Sequence, residues 1–241
     1  MKKNRKLILA MILLQVMYFL IAYIITSAYE TDGYKASVAD SILLGLTYVN
    51  IYTYITVVLA ISVFSIIGRN MYYGIIIRSG GGNRMFLNMA VKAGISSACV
   101  AVCHVFSIAV WSKAMGREWI NWSAPNSVYR YICAGHTTDI SFIRMIIFAL
   151  IGSFVLFYII SLIMLINGWM FGRIVALAVV VIVFFAEKYS GGSIIFGLLL
   201  PSYETVAESY GIIKSILVGT AIIIGLYVTG SIMIKRKDYI N

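Results

Sequence analysis

The sequence predicts an all-α polytopic membrane protein: a transmembrane helical bundle of six spans with both termini cytoplasmic. Three observations predict it. Of 241 residues, 61% are hydrophobic and 12% charged, whereas a soluble domain carries roughly 25% charged and under about 50% apolar residues. The apolar residues lie in long blocks, and a helix rising about 1.5 Å per residue needs roughly 20 of them to cross a hydrocarbon core about 30 Å thick. Basic residues collect at the ends of those blocks, the distribution that orients membrane proteins. The net charge of +10 therefore reads as membrane orientation, and nucleic acid is excluded as a partner.

The first span is expected at about Leu7–Ala28, behind Lys2, Lys3, Arg5 and Lys6. Its apolar run continues to Ile25, longer than the roughly 7–15 residues of a signal-peptide core, so a retained span is expected. The second span is expected at Ile42–Ile67, followed by a basic, glycine-rich interruption at Gly68–Asn88. The third is expected at Met89–Trp111, ahead of the longest polar segment, Ser112–Asp139, with Trp119, Trp122 and Pro125. The fourth, Phe142–Ile166, is separated by a tight break at Asn167–Arg173 from the fifth, Ile174–Ala186. Glu187–Gly192 is polar, while Ser193–Leu200 is apolar but too short to cross, which predicts a re-entrant outer segment. The sixth span, Ile212–Ile234, is stopped by Lys235-Arg236-Lys237. Residues 1–241 thus read as one transmembrane domain.

Six spans put both termini on one side. With the N-terminus inside, the inner segments hold Lys2, Lys3, Arg5, Lys6, Arg69, Arg78, Arg84, Lys92, Arg173, Lys235, Arg236 and Lys237. Asp238 is the one inner acid, and every other Asp and Glu falls outside. Lys92 and Arg144 lie within about one turn of a span end and are expected to snorkel. Small residues recur four apart at Ala90, Gly94 and Ala98, at Gly168, Gly172 and Ala176, and at Ala221, Gly225 and Thr229. That spacing lets helix backbones approach closely where lipid offers no hydrophobic drive, and we read it as packing within the chain.

No phosphate-binding loop of the form G-x-x-x-x-G-K-[ST] is present, because Gly80-Gly81-Gly82 is followed by Asn83-Arg84. H-E-x-x-H and G-x-S-x-G are also absent. The sequence therefore predicts no ATPase domain in the chain and no catalytic residues. Cys133 and His136 form a C-x-x-H pair and Cys103 adjoins His104, but two ligands at each of two depths fall short of the four a zinc site needs. No metal site is expected, and Cys99 and Cys103 read as small hydrophobes. Asn50 and Tyr54, four apart on one helix face, and Tyr52 beside them form a candidate substrate cavity, set against an ordinary aromatic belt. Glu187 and Lys188, adjacent at the end of the short fifth span, form a candidate outer gate, set against an interfacial pair.

Gly68–Lys92 is too polar to span and too apolar to be a free loop. Tyr72, Tyr73, Ile75, Ile76 and Ile77 would cover one side of a short cytoplasmic helix, with Arg69 and Arg78 near its ends. This segment resembles the stretch after the second span in type-2 ABC exporter permeases, in which a cytoplasmic helix precedes a glycine-rich turn, an arginine and a lysine-entered third span. Arg78-Ser79-Gly80-Gly81-Gly82-Asn83-Arg84 with Lys92 has that shape, Ile234-Lys235-Arg236-Lys237-Asp238 is similar to the family's basic C-terminal stop, and Glu187–Ser209 is similar to its re-entrant outer hairpin. One departure is the lack of an acidic residue before Tyr72. The resemblance implies an exporter permease of the bacterial plasma membrane, moving a peptide, antimicrobial or other amphipathic substrate. It implies a second permease copy or homologue and two ABC ATPase subunits that hold ATP and magnesium, with no cofactor on this chain. Arg69, Tyr72, Tyr73, Ile76, Arg78 and Arg84 would make the ATPase-coupling contact. The competing expectations are a non-transporting sensor or assembly protein and an ion-coupled secondary transporter. The absence of midplane acids counts against ion coupling.

Overall fold

A computed structural model describes residues 2–70, 82–190, 199–208 and 210–238. Among them the regular elements are all helices, joined by turns and loops, with a single isolated β-bridge between Lys35 and Ser127. Helix α1 is Lys2–Thr31 and α2 is Val38–Gly45. A helical start at Tyr48–Asn50 passes through a π-helical turn, Ile51–Ile55, into α3, Thr56–Asn70. Then come α4 (Gly82–Ala114), α5 (Val128–Ile132), α6 (Phe142–Met170), α7 (Arg173–Tyr189), α8 (Tyr203–Ala207) and α9 (Gly211–Asp238). Among the described residues four stretches are long and apolar enough to cross a membrane: Ile51–Gly68, Gly82–Ala114, Phe142–Met170 and Gly211–Ile234. The expected third, fourth and sixth spans fall inside the last three of these. The helix over the expected first span, α1, has 30 residues. That over the expected fifth, α7, has 17, about 26 Å at 1.5 Å per residue and so short of a core about 30 Å thick.

The second span differs from expectation at its start. Residues 42–45 are not its first turn but part of the separate helix α2, and the spanning stretch begins at Ile51. The reason is local capping. Ser37 Oγ accepts from the Asp40 amide, and the Asp40 carboxylate accepts from the Ser37 amide, a reciprocal box that starts a helix at this point. Hydropathy could not see it, because Ile42-Leu43-Leu44 is as apolar as the span beyond. The π turn has its own cause. Thr56 Oγ1 donates to the Ile51 carbonyl five residues back, at 3.0 Å, which holds the widened turn.

The chain forms two compact units. The first comprises Met1–Thr47, Val102–Leu150 and Pro201–Ile212. Here the orphan amides at the start of α2 are satisfied by a neighbouring segment, Val38 N donating to Glu118 O and Ala39 N to Trp119 O. Lys35 N donates to Asn126 O and Val128 N to Lys35 O, tying the approach to α2 to the start of α5. Ser127 and Ser202 cap α5 and α8.

The second unit comprises Tyr48–Ala101, Ile151–Leu200 and Ile213–Asn241. Its helices meet through hydroxyl pairs and small residues, as expected where lipid gives no hydrophobic drive. Ser62 bonds Ser96, Ser97 bonds Ser161, and the Tyr158 and Tyr227 hydroxyls lie 2.6 Å apart. Gly94 lies against the Tyr158 ring. Gly172, at φ +94°, makes the tight corner that returns α6 into α7, a conformation disfavoured for any residue with a Cβ. The small-residue stripe on α9 runs opposite to expectation. A Cβ on Gly225 would meet nothing within 4 Å, and Ala221 and Thr229 are exposed, whereas Gly230 packs against Phe86 and Ile166. The stripe lies on the outward face, and the packing falls to the other side of the helix.

Candidate functional site

The densest polar constellation lies in the first unit, around Asp40. Its carboxylate is fully buried and accepts from Ser37 N at 2.7 Å, Ser37 Oγ at 2.6 Å and Trp122 Nε1 at 2.9 Å. Burial pushes the Asp40 carboxyl above its ordinary value, and the hydrogen bonds from Ser37 and Trp122 oppose that without cancelling it. Tyr203 is close enough to add to the opposing effect, yet its hydroxyl does not complete a well-formed bond. The Trp122, Tyr129 and Tyr203 rings stack and tilt against one another at 4.7–5.7 Å. Burial, then the neighbouring Cys133, pushes the Tyr129 phenol up to about 12. Burial is also the main cause that raises the Cys133 thiol.

Beside this cluster Arg117 is 7% exposed. Its Nε donates to Glu30 at 3.0 Å, and its Nη1 donates to the Ala22 carbonyl and Ser41 Oγ. Such use of one planar guanidinium on three separate acceptors fixes a geometry that lysine would not reproduce. Concave sites among the described residues include the following three. A polar cup of about 460 Å³ is lined by Glu30, Lys35, Arg117, Glu118 and Asn121 among others. An apolar groove of about 410 Å³ runs along α4 to Trp119, with Lys113 its one charged residue. A smaller apolar site of about 250 Å³ lies in the second unit, between the π turn and α7.

Sequence-predicted residues scatter relative to these sites. Tyr52 lines the smaller apolar site with its ring 4.7 Å from Phe184, while Asn50 and Tyr54 are half-buried and outside that lining. Residues two apart lie about 200° round a helix of 3.6 residues per turn, so Tyr52 points away from Asn50 and Tyr54. Glu187 is buried and close enough to Tyr52 to interact with it electrostatically, while adjacent Lys188 is exposed. Arg84 is exposed near the start of α4. Arg69 ends α3 with its side chain outside the described residues, and Tyr72, Tyr73, Ile76 and Arg78 lie outside them altogether. The expected re-entrant segment falls largely outside them too. Among the described residues no three His, Cys, Asp or Glu side chains gather as a metal set. Cys99 and Cys103 are exposed and His104 is buried against the Tyr18 ring.

No family model matches the chain, and no curated protein or solved structure does. Function therefore rests on the chain's own residues. The Asp40 cluster went unread in the sequence, although Ser37-x-x-Asp40 ahead of an apolar run is itself a capping-box signal. Its distant partner, Trp122, is 82 residues away and carries no local sign.

Proposed function

We propose that the chain is the membrane-spanning permease subunit of an ATP-binding cassette exporter in the bacterial plasma membrane. In this reading α1 and α7 cross with the four stretches above, α7 at 17 residues lying at the lower limit of about 17 for a span, and both termini are cytoplasmic. The observation that carries the reading is in the sequence: a basic, glycine-rich stretch, Gly68–Asn88, lies between two long apolar runs. Arg69, Arg78 and Arg84 and the tyrosines Tyr72 and Tyr73 fall in or beside it. A short cytoplasmic handle of apolar anchors and cations is what a membrane subunit needs to take force from a soluble partner.

Two ATPase subunits, holding ATP and magnesium, would close on that handle, and the helical bundles would rock about a fixed interface to open outward. A second permease copy or homologue completes the bundle. The spanning stretch of α9 is 11% buried, against 67% for that of α6, and its outward stripe Ala221, Gly225 and Thr229 supports a helix docking there. The cargo we propose is a peptide, antimicrobial or other amphipathic molecule, because the spans are apolar and carry few charges. The test is purification of the tagged full-length chain from native membranes in mild detergent. Co-purification of a chain carrying a G-x-x-x-x-G-K-[ST] loop is the expected result. An intact preparation without one favours the sensor or assembly alternative.

A further inference from the structure

The apolar groove of the first unit has the features of a lipid site. Phe106, Ala109, Val110 and Lys113 of α4 stand at positions i, i+3, i+4 and i+7, one face of the helix. Phe142 and Ile146 of α6, four apart, form the opposite wall. Trp119 closes the end with its ring 5.0 Å from that of Phe142. These apolar walls are open: Phe106 and Trp119 are each almost half exposed, and Val110 more so.

The position of the groove is as informative as its lining. It lies where the spanning stretch Gly82–Ala114 ends, the depth at which hydrocarbon gives way to headgroups and tryptophan concentrates. Lys113 is the charged residue at that end. Its Nζ sits 5.2 Å from the Trp119 ring centroid and donates to the Arg117 carbonyl at 3.1 Å. An ammonium has three donors, so two remain for another acceptor. Among the described residues no acid lines the groove, and Glu118, next to Trp119 in the chain, lines the polar cup instead.

We propose that this groove holds an anionic phospholipid, one acyl chain along Phe106, Val110, Phe142 and Ile146 and the phosphate against Lys113. The charge sets the class, since a zwitterionic headgroup brings a second cation to an ammonium that has no acid beside it. The inference needs only the span end and does not depend on the exporter reading.

The experiment reconstitutes the full chain in vesicles containing increasing brominated phosphatidylglycerol or brominated phosphatidylcholine. Quenching of Trp119 is read as the difference between wild type and Trp119→Phe, which removes the signal of the other tryptophans. Half-quenching is expected at a roughly fivefold lower mole fraction of the anionic lipid, the effect of about one lysine near a charged surface. Lys113→Gln should abolish that difference and leave the phosphatidylcholine curve in place, and Lys113→Arg should retain it. Equal curves for the two lipids in wild type, a preference that persists in Lys113→Gln, or no quenching of Trp119 by either lipid would overturn the proposal.

Discussion

Asp40→Ala is the substitution for which the geometry predicts the largest effect. The carboxylate takes the Ser37 amide at 2.7 Å and the Trp122 indole at 2.9 Å, and the residue is fully buried. Removing it leaves the buried Ser37 amide, which is the returning half of the capping box, and the Trp122 indole without an acceptor, at about 1–3 kcal/mol each, and the Ser37 hydroxyl loses its acceptor as well. Against this, the folded state no longer desolvates a carboxyl group. The balance is a loss of about 2–4 kcal/mol, which for a chain of this size corresponds to a fall in Tm of roughly 5–15 °C. Asp40→Asn retains one acceptor oxygen for Trp122 and loses less. The assay is thermal unfolding of the three proteins in one detergent, followed by size-exclusion fluorescence. The expected order of stability is wild type, then Asn, then Ala. An alanine variant as stable as wild type would refute the view that this carboxylate fastens α2 to the segment bearing Trp122.

Because the folded-state pKa of Asp40 is raised above 3.8, its contribution is fully present below that value and is lost as pH rises through the folded pKa. The difference in Tm between wild type and Asp40→Asn, measured across that range, should therefore move against wild type with rising pH. A flat difference would contradict the direction of the shift. Gly230→Ala drives a Cβ to 2.5 Å from the Phe86 ring and should destabilise by about 1–3 kcal/mol. Gly225→Ala meets nothing within the chain and should be neutral or stabilising by about 0.5–1 kcal/mol in the dissociated chain, with both read as Tm. Tyr73→Glu should leave insertion intact and uncouple transport from ATP hydrolysis, and normal substrate-stimulated ATPase activity of the assembled complex would contradict its place in the coupling contact.

The legible part of the fold was the part fixed by solvent. Long apolar runs marked α4, α6 and α9 because each must satisfy its own backbone in lipid. Hydropathy marks the lipid-exposed length rather than the helix, so α4 begins at Gly82, seven residues before its expected span. What escaped was set by side-chain hydrogen bonds. The Ser37–Asp40 box cuts α2 from the second span, and the Thr56 hydroxyl holds a π turn at Ile51–Ile55 that no hydropathy pattern marks. The direction of α9 escaped for a related reason. Small residues permit close packing on any face, and only large partners such as Phe86 decide which face is used.

The most direct measurement concerns Arg78. Arg78→Cys, in a chain whose Cys99, Cys103 and Cys133 are changed to serine, is exposed to a membrane-impermeant maleimide in right-side-out and inverted vesicles. Labelling in inverted vesicles alone, blocked when the ATPase-bearing complex is intact, is the predicted result. Labelling from the external face would contradict both the six-span topology and the coupling contact.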